Sequence, residues 1–155
     1  MARLPSTPSP NAIPNGAPGI ETRQPVLFSE GVSKGLIDLP AFVRLSSANA
    51  ARLFGLRGRK GSLMPGADAD LVLWDPDAER VIANPRLHHA IDYTAWEELA
   101  VKGWPMVTLR RGEVAARDGE VLAAPGSGRF LARGPYELAR PSGRVPVGFG
   151  AASVG

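Results

Sequence analysis

Proline and glycine are concentrated at the two ends of this 155-residue chain, and this limits where a packed core can form. Five prolines fall within the first 18 residues. Proline donates no backbone hydrogen bond and disfavours a helical conformation in the residue before it. From Gly134 onward prolines and glycines alternate again. We therefore expect an irregular arm over residues 1–12 and an irregular tail over residues 134–155, with the ordered structure between them.

Side chains that commonly carry chemistry are scarce. The chain has no cysteine and two histidines, His88 and His89. The lack of cysteine excludes a disulfide scaffold, a thiolate metal site and a cysteine nucleophile. Adjacent imidazoles diverge on a helix or a strand, and a metal role would need a further ligand from Asp92 or Glu97, which nothing in the sequence places nearby. We interpret both histidines as surface or packing residues. We expect no metal site, no cofactor and no catalytic residue in this chain.

Charge and hydropathy give further expectations about partners. The formal net charge is +3, but the basic residues are scattered and no run is longer than Arg110-Arg111. This distribution does not favour nucleic-acid binding. No apolar stretch is long enough to cross a membrane, and residues Met1–Pro5 lack the apolar region of a secretory signal. We therefore expect a cytoplasmic protein with no nucleic-acid or membrane partner.

Helical signals occupy the first part of the ordered region. Residues 22–34 carry apolar side chains at helical spacing, with a glycine directly after them. Asp38 then precedes Pro40, which is the pattern of an N-cap followed by a first-turn proline. Ser46-Ser47 offers a second cap before an apolar stretch that ends at Gly55. The sequence therefore predicts two short helices in tandem after Asp38.

Strand signals follow. The apolar run Leu71–Trp74, closed by Asp75-Pro76, indicates a short buried strand, and Val81-Ile82 is a candidate partner for it. Arg110–Glu113 has a glycine at the turn position between two apolar runs, which predicts a hairpin. A second turn after it extends this to a β-meander over residues 105–122.

Three other groups of polar residues do not point to catalysis. Asp68 and Asp70 bracket a turn, where aspartate commonly hydrogen-bonds its own backbone. The carboxylates of Glu97-Glu98 face different ways on a helix, so a solvated surface is the better interpretation. Ser127 lies between two glycines but in neither a nucleophile elbow nor a phosphate-binding loop. On these residues alone the chain is an α+β piece whose function stays open.

Five sequence blocks occur in a fixed order along the chain. They are Ile13–Arg23, Ser47–Leu56, Arg59–Pro76, Leu87–Thr94 and Val101–Pro105. Together they resemble the D-hydantoinase and dihydropyrimidinase branch of the cyclic amidohydrolases, more closely than allantoinases or dihydroorotases. The resemblance extends over roughly residues 11–133.

The resemblance implies a fold class and a division of the chain. It implies an α+β fragment in which residues 13–56 form the last helical part of a (β/α)8 barrel. Residues 57–133, including the meander, would then form the C-terminal part of a small β-sandwich lobe. Such a barrel alone needs about 250 residues. We therefore expect a truncated form of the family's fold.

The resemblance also implies an activity. Members of this family open a C–N bond of hydantoins or dihydropyrimidines and release N-carbamoyl amino acids. They use two divalent metals, usually zinc, held by histidines, an aspartate and a carbamylated lysine that lie upstream of the matched segment. The one site residue that the resemblance carries over is Asn15, where backbone groups of the Pro14-Asn15-Gly16 loop contact the ring amide. Gly16 allows the backbone to approach the ligand closely.

Two departures from the family pattern matter. Residues Met1–Pro10 do not resemble the strand and loop expected there, and the family's metal-binding aspartate is not recognisable among them. Glu98 stands where relatives commonly have glycine. The chain alone is therefore expected to be inactive, with a cyclic amide as partner only in the complete enzyme. The alternative is a non-catalytic structural module that complements a separate barrel half or assembles as a homo-oligomer, such as a tetramer.

Overall fold

The computed structural model describes residues 16–134, and these form helices packed against one antiparallel sheet. The α+β class predicted from the sequence is therefore confirmed. The first helical segment is α1 (Arg23–Leu27), which continues into a π-helical turn (Phe28–Ser33). The second consists of α2 (Leu39–Val43), a π-helical stretch (Arg44–Ala48) and α3 (Asn49–Leu53). A 3-10 turn follows later in the chain at Asn84–Arg86. Among residues 16–134, none of the helices combines the length and the hydropathy that a membrane span requires.

The first helical segment ends as the sequence predicts. Gly35 has a φ of +71°, a left-handed conformation that favours glycine. Its N–H donates to the Val32 carbonyl at 2.9 Å, and the Leu36 N–H donates to the Gly31 carbonyl at 2.8 Å. These two bonds satisfy carbonyls at the helix end that would otherwise lack a donor.

The second helical segment confirms one predicted cap and corrects the other. The Ala41 N–H donates to Asp38 Oδ1 at 2.7 Å, and a proline lies in the first turn. The predicted second cap at Ser46-Ser47 is wrong, because α2, the π-helical stretch and α3 run on without a break. The Ser46 hydroxyl instead donates to the Phe42 carbonyl at 2.7 Å. Serine can form this back-bond inside a helix, so a serine pair alone does not mark a helix start.

Four strands form the sheet in the order β1-β2-β3-β4, with every neighbouring pair antiparallel. Their bounds are β1 (Leu71–Val81), β2 (Ala100–Arg110), β3 (Glu113–Arg117) and β4 (Glu120–Val121). The predicted hairpin is confirmed. Arg111 and Gly112 both have positive φ, +53° and +83°, as a tight two-residue hairpin turn requires.

The first strand is longer and more exposed than predicted. Asp75-Pro76 does not end it, because the pairing with β2 shifts register between Asp75 and Glu79 and then resumes. Proline is tolerated at such an irregularity on an edge strand. Val81 therefore belongs to the same strand as Leu71, and its prediction as a partner strand is wrong. The predicted burial is wrong as well, since Val72 and Leu73 are 47% and 57% exposed.

Three aromatic rings join the helices to the sheet, and we call Phe28, Phe42, Trp74 and the adjoining Gly103 the aromatic cluster. The ring centroids lie 5.0 Å apart for Phe28 and Trp74, 5.3 Å for Phe28 and Phe42, and 5.6 Å for Phe42 and Trp74. Gly103, on β2, has a φ of +96°, and a Cβ built there would lie 2.2 Å from Phe28 Cδ1. The close approach of helix and strand therefore requires glycine at this position.

Polar contacts and a second apolar group extend this interface. The Lys102 N–H donates to the buried Ser29 hydroxyl at 3.1 Å, and the Ser33 hydroxyl donates to the Lys102 carbonyl at 3.2 Å. These bonds satisfy a β2 backbone unit next to the glycine. Beside them, Val26 on α1 packs with Ile82 and Val101, and all three are buried.

The departure at Glu98 corresponds to an unusual backbone conformation. Its φ is +63°, which is left-handed, and its N–H donates to the Ile82 carbonyl at 3.0 Å. Glycine adopts this conformation without the steric cost that a Cβ incurs. Glu97 and Glu98 lie in an exposed turn and not on a helix, so the solvated surface is confirmed and the helix is not.

Candidate functional site

Asn15, the one predicted substrate contact, lies outside the described residues, so its contact stays a prediction. The described chain begins at its neighbour, Gly16, which is exposed and has a φ of +99°. This conformation is one that only glycine adopts readily. The loop that the sequence singled out therefore turns at Gly16 in a way that another residue would resist.

A tyrosine distant in sequence holds this turn. The Tyr93 hydroxyl donates to the Gly16 carbonyl at 2.8 Å across 77 positions of sequence. Tyr93 is half-buried. A hydrogen bond of this kind contributes about 1 kcal/mol net. It fixes the backbone next to Asn15 relative to the segment that follows the 3-10 turn.

A second contact anchors the same stretch of chain. The His88 backbone N–H donates to Glu21 Oε2 at 2.8 Å, and His88 Nδ1 lies 3.0 Å from Glu21 Oε1. The side chains are 50% and 34% exposed, so this contact is partly solvated. His88 is thus a surface residue that packs and hydrogen-bonds, in agreement with the sequence interpretation.

The remaining candidate metal ligands are engaged elsewhere or stand apart. Both ring nitrogens of His89 are buried without a hydrogen-bond partner among the described residues. Glu97 Oε2 accepts a hydrogen bond from the Asn84 N–H at 2.8 Å. Across residues 16–134, no group of three or more histidine, aspartate or glutamate side chains is arranged to hold a metal ion. The described residues therefore do not fit the two-metal centre that the resemblance implies for the complete enzyme.

Asp68 and Asp70 take part in an ion-pair network with Lys60 and Arg59, and the Arg111 backbone joins this network through a hydrogen bond. Lys60 Nζ lies 2.9 Å from Asp68 Oδ2 and also pairs with Asp70. The Arg111 N–H donates to Asp70 Oδ1 at 2.8 Å. The structural role predicted for both aspartates is correct, but their side chains bind Lys60 and the hairpin turn and not their own backbone. The network thereby connects the loop after α3, the start of β1 and the β2–β3 turn.

The network shifts the pKa values of its members. The hydrogen bond from Lys60 lowers the pKa of Asp68 below its usual value, and the positive charge of Lys60 adds to this. Desolvation raises the pKa of Asp70, but the bonds from Lys60 and the Arg111 N–H outweigh it and the net shift is downward. Desolvation lowers the pKa of Lys60, but both aspartates outweigh it and the net shift is upward. All three groups are therefore stabilised in their charged forms.

Ser127 is held by arginines. Arg110 Nη2 donates to the Ser127 hydroxyl oxygen at 2.7 Å, and Arg111 Nη2 donates to the Ser127 carbonyl at 3.0 Å. The hydroxyl itself donates to the Ala124 carbonyl. These contacts supply no base that would activate the hydroxyl as a nucleophile. They attach the segment after β4 to the sheet.

Sequence reasoning missed Tyr93 and Glu21 as residues that position the turn after Asn15. Both lie in blocks that carry the family resemblance, Leu87–Thr94 and Ile13–Arg23. Their place in these two blocks was the one feature of the sequence that could have drawn attention to them. Nothing in their residue type or spacing indicates that the two blocks meet.

Comparisons with known proteins agree with the resemblance. The sequence profile of the amidohydrolase family matches residues 5–115. The D-hydantoinase of Geobacillus stearothermophilus is 48% identical over 124 residues, which cover 80% of this chain and 26% of that protein. The D-hydantoinase of Ralstonia pickettii is 44% identical over 126 residues, which cover 81% of this chain and 27% of that protein.

The fold comparison gives the same result. The dihydropyrimidinase of Brevibacillus agri superimposes with a TM-score of 0.78 at 42% identity, over 83% of this chain and 28% of that one. The present chain spans about a quarter of the length of the curated relatives that it matches.

Proposed function

The chain belongs to the amidohydrolase family, and we propose that it forms part of a hydrolase that opens a ring C–N bond of hydantoins or dihydropyrimidines. The products would be N-carbamoyl amino acids. The observation that carries this proposal is the match, in both sequence and fold, to D-hydantoinases and a dihydropyrimidinase over four fifths of the chain.

The proposal includes a place for this chain within the larger fold. Residues 13–56 would end a (β/α)8 barrel, and residues 57–133 would belong to the β-sandwich lobe. Support comes from apolar side chains that the described part of the chain leaves exposed. On the helices these are Leu39, Val43, Leu45 and Leu53, and on the first strand they are Val72 and Leu73. Exposed apolar groups on both layers are expected where further protein packs.

Within this enzyme, the chain would contribute a substrate contact and not the reaction centre. We assign backbone recognition of the ring amide to the loop at Asn15, which adjoins the turn that Tyr93 holds. Two divalent metals, with zinc the expected ion, would be held by residues outside this chain. Support comes from the composition, since the whole sequence has two histidines and no cysteine. On its own the chain would therefore hydrolyse no cyclic amide.

A chimera tests the proposed function. Residues 13–133 of this chain would replace the matching region of the Geobacillus stearothermophilus D-hydantoinase, and hydantoin hydrolysis would be measured together with bound zinc. We expect a folded, zinc-loaded and active enzyme. A chimera that folds and holds zinc but does not open hydantoin would contradict the proposal. A matched chimera carrying Gly103→Val, which removes the space for Phe28, should fail to fold.

The same chimera tests the site residue. Because the proposed contact uses the backbone, Asn15→Ala should retain most of the activity. Asn15→Pro removes the backbone N–H and should raise KM for hydantoin. Equal KM values for the two variants and the unsubstituted chimera would show that the Asn15 backbone does not contact the substrate.

A second candidate function is a structural or interaction module. The exposed apolar side chains on both layers favour it, since they would suit a separately encoded barrel half or further copies in a tetramer. Sedimentation velocity on the purified chain tests this alternative. A tetramer, or a stable complex with a barrel half, would support it. A monodisperse monomer that melts cooperatively would count against any obligate partner.

A further inference from the structure

A cavity of about 350 Å³ lies between the sheet and the segment around the 3-10 turn. This volume falls within the range of small-molecule binding sites, which is about 300–1,000 Å³. Its apolar lining includes Ile82, which is 2% exposed, together with Leu87, Trp104 and Met106. The cavity is separate from the turn at Gly16, although Glu21 and His88 contribute to one wall.

The rim of this cavity is positively charged. Arg80, Arg86 and Arg117 all line it, on β1, the 3-10 turn and β3. No hydrogen bond or ion pair joins these guanidinium groups to any residue of the described range 16–134. The carboxylate on the wall, Glu21, has both oxygens engaged by His88. The three guanidinium groups outnumber this single carboxylate, so the lining carries a net positive charge.

One arginine is also held in place by an aromatic ring. The guanidinium carbon of Arg80 lies 5.1 Å from the centroid of the Trp104 ring. This is the distance of a cation–π contact, which orders the side chain and leaves its N–H donors available. Arginine presents those donors as a planar fork that matches a carboxylate. The cavity thus combines an ordered anion-binding group with an apolar floor.

We propose that this cavity binds a small carboxylate with an apolar, preferably aromatic, body. The carboxylate would accept hydrogen bonds from Arg80, with Arg86 and Arg117 adding positive potential. The body of the ligand would rest on Trp104 and Met106, which line the cavity and are half-buried. This site is independent of the proposed hydrolase activity, which uses the loop at Asn15.

Isothermal titration calorimetry on the full chain tests the site with three probes. Phenylacetate has both the carboxylate and the aromatic body, inorganic phosphate has only the negative charge, and benzyl alcohol has only the aromatic body. We expect saturable binding of one phenylacetate per chain, with the other two at least about tenfold weaker, because each lacks one of the two interactions. No saturable binding of phenylacetate, or equal binding of either partial probe, would overturn the proposal.

Substitutions locate the binding. Arg80→Gln should weaken phenylacetate binding about tenfold, the effect of losing a charge-assisted hydrogen bond. Arg44→Gln makes the same change in charge on an exposed helical residue outside the cavity, and should leave the affinity unchanged. If Arg80→Gln lowers the Tm, Arg117→Gln, at an exposed position, is used in its place. The expected loss of phenylacetate affinity is then smaller than tenfold. Unchanged affinity in the folded cavity variants would contradict the assignment.

Discussion

The aromatic cluster and the ion-pair network both join distant parts of the chain, but they do so by different physics. The aromatic cluster is apolar and closely packed, and it has room for no Cβ at Gly103. The ion-pair network is partly solvated, with Lys60 at 16% and Asp70 at 37% side-chain exposure. The stability that the aromatic cluster contributes depends on the shapes of its side chains, whereas the stability that the ion-pair network contributes depends on pH and salt. Substitutions that change shape or charge separately therefore distinguish the two regions.

The largest effect should come from the aromatic cluster. Gly103→Ala places a methyl group against the Phe28 ring at a φ of +96°, so the free energy of unfolding should fall by about 3 kcal/mol. Urea denaturation followed by circular dichroism measures this. Gly112→Ala is the matched control, since Gly112 has a φ of +83° and nothing lies within 4 Å of the position that its methyl group would take. Its expected cost is about 1–2 kcal/mol, and equal costs for the two variants would show that the steric argument at Phe28 is wrong.

The ion-pair network should contribute less. Lys60→Met keeps most of the apolar stem but removes the charge between Asp68 and Asp70, and should lower the free energy of unfolding by about 1 kcal/mol. Lys34→Met removes a more exposed lysine that pairs with Glu30 one helical turn away. Its expected cost is about 0.3 kcal/mol. Added salt should narrow the difference between the two variants, and a difference unaffected by salt would argue for packing instead of charge.

Part of the pH dependence of stability should come from the ion-pair network, and a further alkaline contribution should come from Lys102, whose pKa is raised by its hydrogen bond with Asp77. The folded pKa values of Asp68 and Asp70 are lowered, so their stabilisation is present above the unfolded aspartate pKa of about 3.9 and is lost as pH falls through the folded values. The folded pKa of Lys60 is raised, so its contribution is present below about 10.4 and is lost as pH rises through the folded value. Thermal melts across pH should show both losses. Lys60→Met should reduce the loss of stability at both the acid and the alkaline end, leaving the parts due to the Arg111 N–H at Asp70 and to Lys102. Gly103→Ala should lower stability by a similar amount at every pH.

A smaller change should increase stability at the edge of the apolar core. Glu98→Gly relieves a left-handed φ of +63° at the turn that pairs with Ile82, and should raise the free energy of unfolding by about 0.5 kcal/mol after the flexibility of glycine is allowed for. Glu113→Gly, within β3, is the control and should destabilise. A loss of stability in both variants would mean that the Glu98 side chain contributes more than its backbone conformation costs.

Local chemistry made part of the fold predictable. The cap at Asp38, the helix end at Gly35 and the turn at Arg111-Gly112 each depend on residues within a few positions of one another. The extent of β1 did not follow from local rules, because the residues after Pro76 rejoin the strand through pairing with β2. The prediction of a cap at Ser46-Ser47 was wrong for a similar reason. A serine hydroxyl can cap a helix, but it can also donate to a carbonyl one turn earlier inside a helix, as Ser46 does.

The candidate site was less predictable than the fold. The sequence pointed to the loop at Asn15 through family resemblance, but not to Tyr93 or Glu21 as residues that hold the adjoining turn. Those contacts join positions 77 and 67 residues apart. They depend on how the segment around the 3-10 turn packs against the start of α1. No periodicity or spacing in the sequence encodes that packing.

We propose that this chain supplies part of the scaffold and the substrate loop of a hydantoinase-type enzyme and not its metal centre. The most direct measurement is hydantoin and dihydrouracil hydrolysis by the purified chain in the presence of zinc, with the bound metal quantified on the same sample. We predict no hydrolysis above background and no stoichiometric zinc. Hydrolysis accompanied by two bound metal ions per chain would contradict the claim.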